Sequence, residues 1–305
     1  MDVALIILNY KTAKLTIDTI SSIKKITHPN FNYHIYIIDN GSNDGSVEQF
    51  TKLYSQDKLI TIEPTGTNLG YAEGNNFGLR LALKKNYRYV LVMNSDVIVK
   101  PNFLTTMVNF LETNESYGMV GPKIYFAKGY EYHQDRYTTS EKGKVIWSVG
   151  GKIDWNNIYG SNIGIDEVDH GQYQQINDKI DYLSGCSILI RSSVLRQFGL
   201  FDSKYFMYLE DADYSRKLIQ SGVKIAYLPE SIIWHVNRGS SGGGPLHDYF
   251  LTRNRLLFGF RYASLKTKLA LFKDSLRLYF FSPYVWQKYG VRDYYLNKLG
   301  KGSWK

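Results

Sequence analysis

Along the first 125 positions, short continuous apolar runs alternate with stretches of helical period. Val3–Leu8 is unbroken, Tyr33–Ile38 ends at Asp39, Leu59–Glu63 is shorter, and Tyr89–Met93 is again continuous. Runs without polar alternation fit strands buried on both faces. The segments between them, 12–26, Gly45–Tyr54, Ala72–Lys85 and Phe103–Leu111, read as helices, with Pro101 at a first helical position. Met119–Gly121 begins a further strand. The β-α-β-α rhythm predicts an α/β fold: a Rossmann-like, mostly parallel sheet with flanking helices.

The rhythm stops near Tyr125. Residues 126–180 are rich in Gly, Tyr, Asn, Asp and Gln, with Val145–Val149 as a strand-like piece. An insertion of that length in a compact domain is often functional. Regular structure is expected again at Tyr182–Ile190, in a helix at Ser192–Phe198, and in a helix from Glu210. Gly239–Gly244 (GSSGGG) has little backbone preference. Beyond it, Leu265, Leu269, Phe272, Leu276 and Tyr279 recur at steps of four and three, one face of an amphipathic helix. The expected division is a domain over 1–245, with halves 1–124 and 125–245, and a C-terminal helical extension over 246–305.

Composition adds exclusions. With 305 residues, 44% apolar and 21% charged, the chain reads as globular. One cysteine excludes an intramolecular disulfide framework and a cysteine-cluster metal site. The start, MDVALIILNYKT, lacks signal-peptide features, and no uninterrupted apolar window could span a bilayer. A cytoplasmic location is expected. Charge is segregated: residues 1–245 hold 25 Lys+Arg and 25 Asp+Glu, while 246–305 hold 12 and 3, so the extension carries the whole net +9. A basic segment rich in Phe, Tyr and Trp suits an anionic surface, membrane or nucleic acid. A helical appendage with solvated charges suits it equally.

Candidate chemistry sits where strands end, because ligands of doubly wound sheets bind beyond the strands' carboxyl ends. Asn9–Tyr10, Asp39–Asn40 and Asn94–Ser95–Asp96 each follow an apolar strand. Any one of them reads more simply as a strand-ending turn; three together imply one crevice. Gly70, Gly74 and Gly78 open the third helix without matching a Walker loop or a dinucleotide fingerprint, which disfavours a P-loop ATPase and a nicotinamide dehydrogenase. Such glycines let backbone approach a ligand closely. Asp96 is a hard carboxylate suited to Mg²⁺ or Mn²⁺ on a diphosphate, or a turn residue. Glu210, Asp211 and Asp213 crowd three carboxylates into four positions, either as a helix start or as a catalytic or metal site. His235, after Trp234 and before the Gly/Ser stretch, reads as ligand or structural residue with equal force.

In order and spacing these segments resemble the family 2 glycosyltransferases of the GT-A fold, and within them the rhamnosyltransferase-like branch of bacterial surface-polysaccharide synthesis. The resemblance rests on Ile6–Tyr10, Ile37–Ser46, Asn68–Gly78, Met93–Val97, Tyr182–Cys186, Gly199–Asp202, Phe206–Asp213, Trp234–His235 and Arg253–Asn254, and spans roughly residues 3–258.

The resemblance implies a nucleoside-diphosphate sugar donor, dTDP- or UDP-linked, with rhamnose as first choice. It implies a glycan or lipid-linked glycan acceptor and inverting transfer. Leu8, Asn9, Tyr10 and Asp39 would hold the nucleobase, with Asp39 accepting a bond from a pyrimidine imide N–H. Asn68 and Asn75 would line the nucleotide pocket. Asn94, Ser95 and Asp96 stand where the family carries Asp-x-Asp, with Asn94 replacing the first carboxylate; Asp96 and His235 would ligate a divalent cation, Mn or Mg. Asp211 matches the general base and Glu210 an acceptor-positioning residue. Gly185 and Cys186 would begin the acceptor loop, with Cys186 as a small buried residue and not a nucleophile. Trp147 is expected to pack, and Trp155 either to pack or to stack on an acceptor sugar. Lipid-linked acceptors lie at membranes, so residues 246–305 would hold the enzyme peripherally on the inner membrane face through anionic lipid, with no nucleic-acid partner; a homodimer interface is the other use of the same helix. Three alternatives stand beside this reading. A nucleotidyltransferase lacks its basic glycine-rich loop, since residues 8–16 offer only Lys11 and Lys14. A glycan- or membrane-binding module leaves Glu210, Asp211, Asp213 and His235 unexplained. An inactive transferase would follow from Asn94.

Overall fold

The computed structural model describes residues 2–26, 31–236 and 243–305. In chain order the elements are β1 (Asp2–Asn9), α1 (Ala13–Ile23), β2 (Asn32–Asp39), α2 (Ser46–Tyr54), β3 (Ile60–Pro64), α3 (Gly70–Lys84), β4 (Tyr89–Asn94), β5 (Val97–Val99), α4 (Phe103–Thr113) and β6 (Tyr117–Phe126). They continue as β7 (Ile146–Ser148), β8 (Gly151–Asp154), β9 (Tyr159–Asn162), β10 (Ser187–Arg191), α5 (Ser192–Phe198), α6 (Glu210–Gln220), β11 (Lys224–His235), α7 (Pro245–Tyr262), α8 (Leu265–Phe281) and α9 (Val285–Tyr295).

Strand β1 explains the two layers. Its side chains alternate faces. Val3, Leu5 and Ile7 join one core with Ile20, Phe50, Phe103 and Leu104 from α1, α2 and α4. Ala4, Ile6 and Leu8 join the opposite core with Ala72, Leu79, Tyr214 and Leu218 from α3 and α6. Helices therefore cover both faces, as the continuous apolar runs require. The sheet order is β3-β2-β1-β4-β10-β6-β11-β5, with β7 paired to β6.

Strands β1 to β4 are parallel, as the rhythm predicts. The second half departs from it. Strand β10 inserts between β4 and β6 antiparallel to both, and β5 pairs antiparallel with β11. An apolar run fixes that a strand is buried but not its direction. The gain is positional: β10 runs away from the ends of β1 and β4, so the residues preceding it, Ser184–Cys186, lie beside Asn94, whose N–H donates to Cys186 O at 3.0 Å. Pro101 lies outside α4, which starts at Phe103 behind Asn102, so its fixed φ shapes the preceding turn.

The glycines of α3 also differ from expectation. A Cβ on Gly78 would stand 2.5 Å from Ile6 Cγ2, and one on Gly74 2.8 Å from Leu8 Cδ1. These two glycines seat the helix on β1 and do not approach a ligand. Gly70 has φ +79 and would collide with Phe206. It alone needs glycine for both conformation and contact.

Helices α7 to α9 pack together beside the second half. Tyr249, Phe250, Arg253, Asn254, Leu256 and Phe258 of α7 are buried. Of α8 only Thr267, Leu271 and Ser275 are buried. The predicted apolar stripe, Leu265, Leu269, Phe272, Leu276 and Tyr279, therefore faces solvent, with Leu265 74% exposed. Among the described residues no helix is long and apolar enough to cross a membrane.

Candidate active site

Two cavities meet at the carboxyl ends of β1 and β4. The first, about 390 Å³, is lined by Leu8, Tyr10, Asn68, Asn94, Ser95 and Asp96 among the sequence candidates. Thr12, Asn40, Gly70, Lys301, Trp304 and Lys305 complete much of its wall. Asn9, Asp39 and Asn75 do not line it. Asn9 is wholly buried: its Nδ2 donates to Asp39 Oδ2 at 2.7 Å and to Ser42 Oγ at 3.1 Å, while its Oδ1 accepts from Thr12 and Thr16. Its amide is saturated, so Asn9 organises the strand ends and has no group left for a nucleobase. Asp39 Oδ1 accepts the Ser42 N–H at 3.0 Å, turning the chain at the end of β2. Asn75 lies inside α3, with Nδ2 bonded to Tyr71 O and Oδ1 unpartnered. Asn68 reaches the wall because its Oδ1 receives Asn40 Nδ2 and the Gly70 N–H.

The second cavity, about 410 Å³, is lined by Gly185, Cys186, Glu210, Asp211 and His235, together with Trp147, Tyr159, Tyr182, His247 and Arg255. It shares Tyr71, Asn94 and Met207 with the first. Trp155 is not in it: the indole stacks on Phe258 at 5.9 Å and lies under the Arg216 guanidinium, so it packs the α7 interface. Trp147 does line it, edge-on to His235 at 4.8 Å. Cys186 is buried, and burial, then the charges of Asp96 and Asp211, push its thiol pKa well above the ordinary value. It has no thiolate character for nucleophilic work.

Asp211 and Glu210 open α6 in unequal environments. The Gly185 N–H donates to Asp211 Oδ2 at 2.8 Å and the Ala212 N–H to Asp211 Oδ1 at 2.8 Å. Burial raises the Asp211 pKa, and those amides pull it back part of the way. Glu210 is buried with Oε2 unpartnered. Burial, reinforced by the Asp211 charge, drives its pKa well above the carboxylate range. Like charges this close do not both ionise. The amides favour the charged form on Asp211 and leave Glu210 the more strongly raised of the two. The third carboxylate, Asp213, is separate: Tyr205 Oη and Arg261 bond its Oδ1 at 2.9 and 2.6 Å.

Three non-glycine residues just before α6 have left-handed backbone: Phe206 (φ 63), Tyr208 (φ 68) and Leu209 (φ 69). Such conformations cost on the order of 1–3 kcal/mol each and persist only where the surroundings impose them. Here α7 imposes them. Asn254 Nδ2 points at the carbonyls of Tyr205, Met207 and Tyr208 at 2.9, 2.7 and 2.9 Å. Arg253 donates to the carbonyls of Lys204 and Tyr205. Both side chains are fully buried. Sequence reasoning gave Arg253 and Asn254 no role, and it missed Tyr71, whose Oη donates to Gly185 O at 2.6 Å. The available signal was the Arg253-Asn254 pair itself, one of the segments on which the family resemblance rests.

Across the junction His235 Nε2 stands 3.2 Å from Asp96 Oδ1. The imidazole is buried and neither ring nitrogen has a hydrogen-bond partner among the described residues. A buried orphan imidazole beside a carboxylate fits a divalent cation whose remaining ligands come from a bound diphosphate. Among the described residues no cluster of three or more His, Cys, Asp or Glu side chains could hold an ion alone.

Fold and site together are those of an α/β protein with two adjoining cavities at its strand ends. The chain belongs to glycosyl transferase family 2, whose model matches residues 4–199. It is a glycosyltransferase that moves a sugar from a nucleotide-sugar donor. It is 27% identical over 223 residues to the N-acetylglucosaminyl-diphospho-decaprenol L-rhamnosyltransferase of Mycobacterium tuberculosis, covering 69% of each chain. GalNAc-T7, solved with UDP, GalNAc and Mn²⁺, superposes with TM-score 0.62 at 15% identity, over 93% of this chain and 58% of that one. TarS 1-349 of S. aureus, solved with UDP-GlcNAc, gives 0.57 at 18% identity, over 92% and 71%. These likenesses establish a GT-A-like fold.

Proposed function

We propose that this enzyme transfers a hexose, rhamnose first, from a dTDP- or UDP-linked donor to a lipid-linked glycan with inversion, working peripherally at an anionic membrane. The meeting of the two cavities at Tyr71, Asn94 and Met207, with Asp96 on one side and Asp211 on the other, carries the reading. The donor occupies the cavity at the strand ends, and the acceptor the cavity under Glu210 and Asp211. The mycobacterial relative, named for rhamnosyl transfer to a diphospho-decaprenol glycan, supports the sugar and the acceptor class.

The chemistry is one in-line displacement. The acceptor oxygen bonds to the anomeric carbon as the bond from that carbon to the diphosphate oxygen breaks. The acceptor proton passes to Asp211, which the Gly185 and Ala212 amides hold ionised and fixed in place. A carboxylate oxygen accepting one backbone bond retains lone pairs for that proton. Glu210, protonated, donates to the acceptor and leaves Asp211 as the single anion. Asp96 and His235 would hold a divalent cation, which neutralises charge on the diphosphate when bound.

The exposed stripe of α8 supports the membrane component. Lys266, Lys268, Lys273 and Arg277 flank Leu269, Phe272 and Leu276, and Phe280 and Phe281 extend the apolar face toward Tyr284. Basic side chains around outward-facing Leu and Phe suit an anionic lipid interface.

Thermal unfolding with dTDP, UDP and their sugars, with and without Mn²⁺, is the deciding measurement. A ligand bound only by the folded chain raises the midpoint. Stabilisation by one nucleoside diphosphate that grows with Mn²⁺ is expected. No shift with any nucleotide would favour a non-catalytic glycan- or membrane-binding protein. The Gly239–Gly244 stretch, a candidate for closure over the substrates, falls largely outside the described residues.

A further inference from the structure

We propose that Lys301 and Lys305 are diphosphate-binding residues, brought to the donor cavity by a segment that folds back from α9. The inference rests on the donor assignment above. Residues 297–305 leave α9 and reach the first cavity, where Lys301, Trp304 and Lys305 share the wall with Asn68, Asn94, Ser95 and Asp96.

The segment is anchored at every second or third residue. The Gly300 N–H donates to Lys204 O at 2.8 Å, and Arg253 donates to Gly300 O at 2.5 Å. The Ser303 N–H donates to Asp293 Oδ2 at 2.8 Å and to Tyr249 Oη at 2.9 Å, and Arg292 donates to Ser303 Oγ. Asp293 is itself fully buried. The Trp304 ring lies 4.6 Å from that of Trp286 and 6.1 Å from that of Tyr249. Backbone tied this closely delivers its side chains to fixed places.

What it delivers is charge. The cavity wall holds one carboxylate, Asp96, and two ammonium groups. Neither ammonium has an ion-pair or hydrogen-bond partner among the described residues. Asn94, an amide, adds no charge to that wall, so its lining side chains are net cationic before any metal enters. Lysine serves phosphate as a mobile point charge, and two of them match a diphosphate. The diphosphate gains negative charge as the glycosidic bond breaks, so cations in place beforehand favour departure more than initial binding. The same Arg253 that braces the loop before Asp211 also holds Gly300, so one buried side chain sets both halves of the site.

The test is calorimetric titration of the full chain and its Lys301→Gln/Lys305→Gln form with uridine, UMP and UDP, and with the thymidine series, at low and moderate salt. Both lysines are exposed, so the variant is expected to fold with an unchanged midpoint. Affinity for the diphosphate should fall tenfold or more with a shallower salt dependence, while nucleoside affinity stays within twofold. Equal losses for nucleoside and diphosphate would mean that the lysines only shape the wall, and overturn the proposal. So would diphosphate affinity within twofold of the parent chain. Failure of the parent chain to bind any of the ligands would overturn the donor reading itself, and this inference with it.

Discussion

The Gly185 N–H donates to Asp211 Oδ2 at 2.8 Å, which ties the turn before β10 to the first turn of α6. Two segments 26 residues apart in sequence thereby meet at one carboxylate. Replacing Asp211 by Asn keeps the shape and removes the base. Turnover should fall about 10²–10⁴-fold, the usual worth of general-base catalysis, with nucleotide affinity unchanged. A loss below tenfold would remove Asp211 from the mechanism. In the parent enzyme kcat should decline as pH falls through a value above the usual aspartate pKa, because burial raises the Asp211 pKa and only the ionised form accepts a proton.

Glu210 predicts a pH-dependent stability. Its folded-state pKa lies well above its unfolded value, because of burial and then the neighbouring Asp211 charge. The native state therefore binds more protons than the unfolded chain, and stability falls as pH rises from the unfolded pKa through the folded one. Glu210→Gln removes that penalty. Its midpoint should exceed the parent's by a few degrees at pH 8 and match it near pH 4. A variant less stable than the parent at pH 8 would show that Glu210 is ionised and compensated.

Asn254 acts through the loop it braces. Asn254→Ala takes the donor from the carbonyls of Tyr205, Met207 and Tyr208. A buried group left unpaired costs about 1–3 kcal/mol. The left-handed backbone at Phe206, Tyr208 and Leu209 then loses its main support. Stability should fall by roughly that amount, and kcat should fall much further than nucleotide affinity. Equal loss of both at a temperature where the variant stays folded would mean that the brace is structural only.

Much of this architecture was legible in the pattern. Helix α5 matches its expected bounds, and β1 to β4 lie within a residue or so of theirs, because continuous apolar runs and helical periods are local signals. The strand ends were legible as one crevice, since Leu8, Tyr10, Asn94, Ser95 and Asp96 do line one cavity. Three things were not. Asn9 and Asp39 satisfy each other, and whether a polar strand end turns inward is settled by neighbours distant in sequence. Trp155 lost its place at the acceptor to a stacking partner 103 residues away, Phe258. Lys301 and Lys305 looked like part of a solvated basic run, because nothing local says that residues 297–305 fold back to the carboxyl ends of β1 and β4.

Asp96 and His235 give a metal prediction. If they hold a cation against the diphosphate, Mn²⁺ should tighten nucleoside-diphosphate binding in the parent chain, and His235→Ala should abolish that enhancement. The metal-free affinity should change little. Apart from the Asp96 contact at 3.2 Å, the buried imidazole has no polar partner among the described residues to lose, so the variant's main structural cost is the cavity beside Trp147. Isothermal titration with and without Mn²⁺ separates the two effects. An undiminished Mn²⁺ enhancement in the variant would place the cation elsewhere.

The outward face of α8 gives the last. Leu269 is 57% exposed and Phe272 44%, on a helix whose inner face is a narrow line of Thr267, Leu271 and Ser275. The ordinary amphipathic arrangement is thus reversed, and water gains nothing from it. Fully burying a Leu or Phe side chain is worth about 1.5–3 kcal/mol, so two such residues entering the acyl boundary should dominate attachment. Leu269→Glu/Phe272→Glu leaves the buried line intact and should cut sedimentation with phosphatidylglycerol vesicles at least tenfold. Attachment of the parent chain should weaken with salt and fail on phosphatidylcholine, because the flanking lysines require anionic lipid. Undiminished pelleting of the double variant would remove the ridge from the membrane. A parent chain that sediments as a dimer without lipid, and a double variant that sediments as a monomer, would instead make the ridge a contact between two copies.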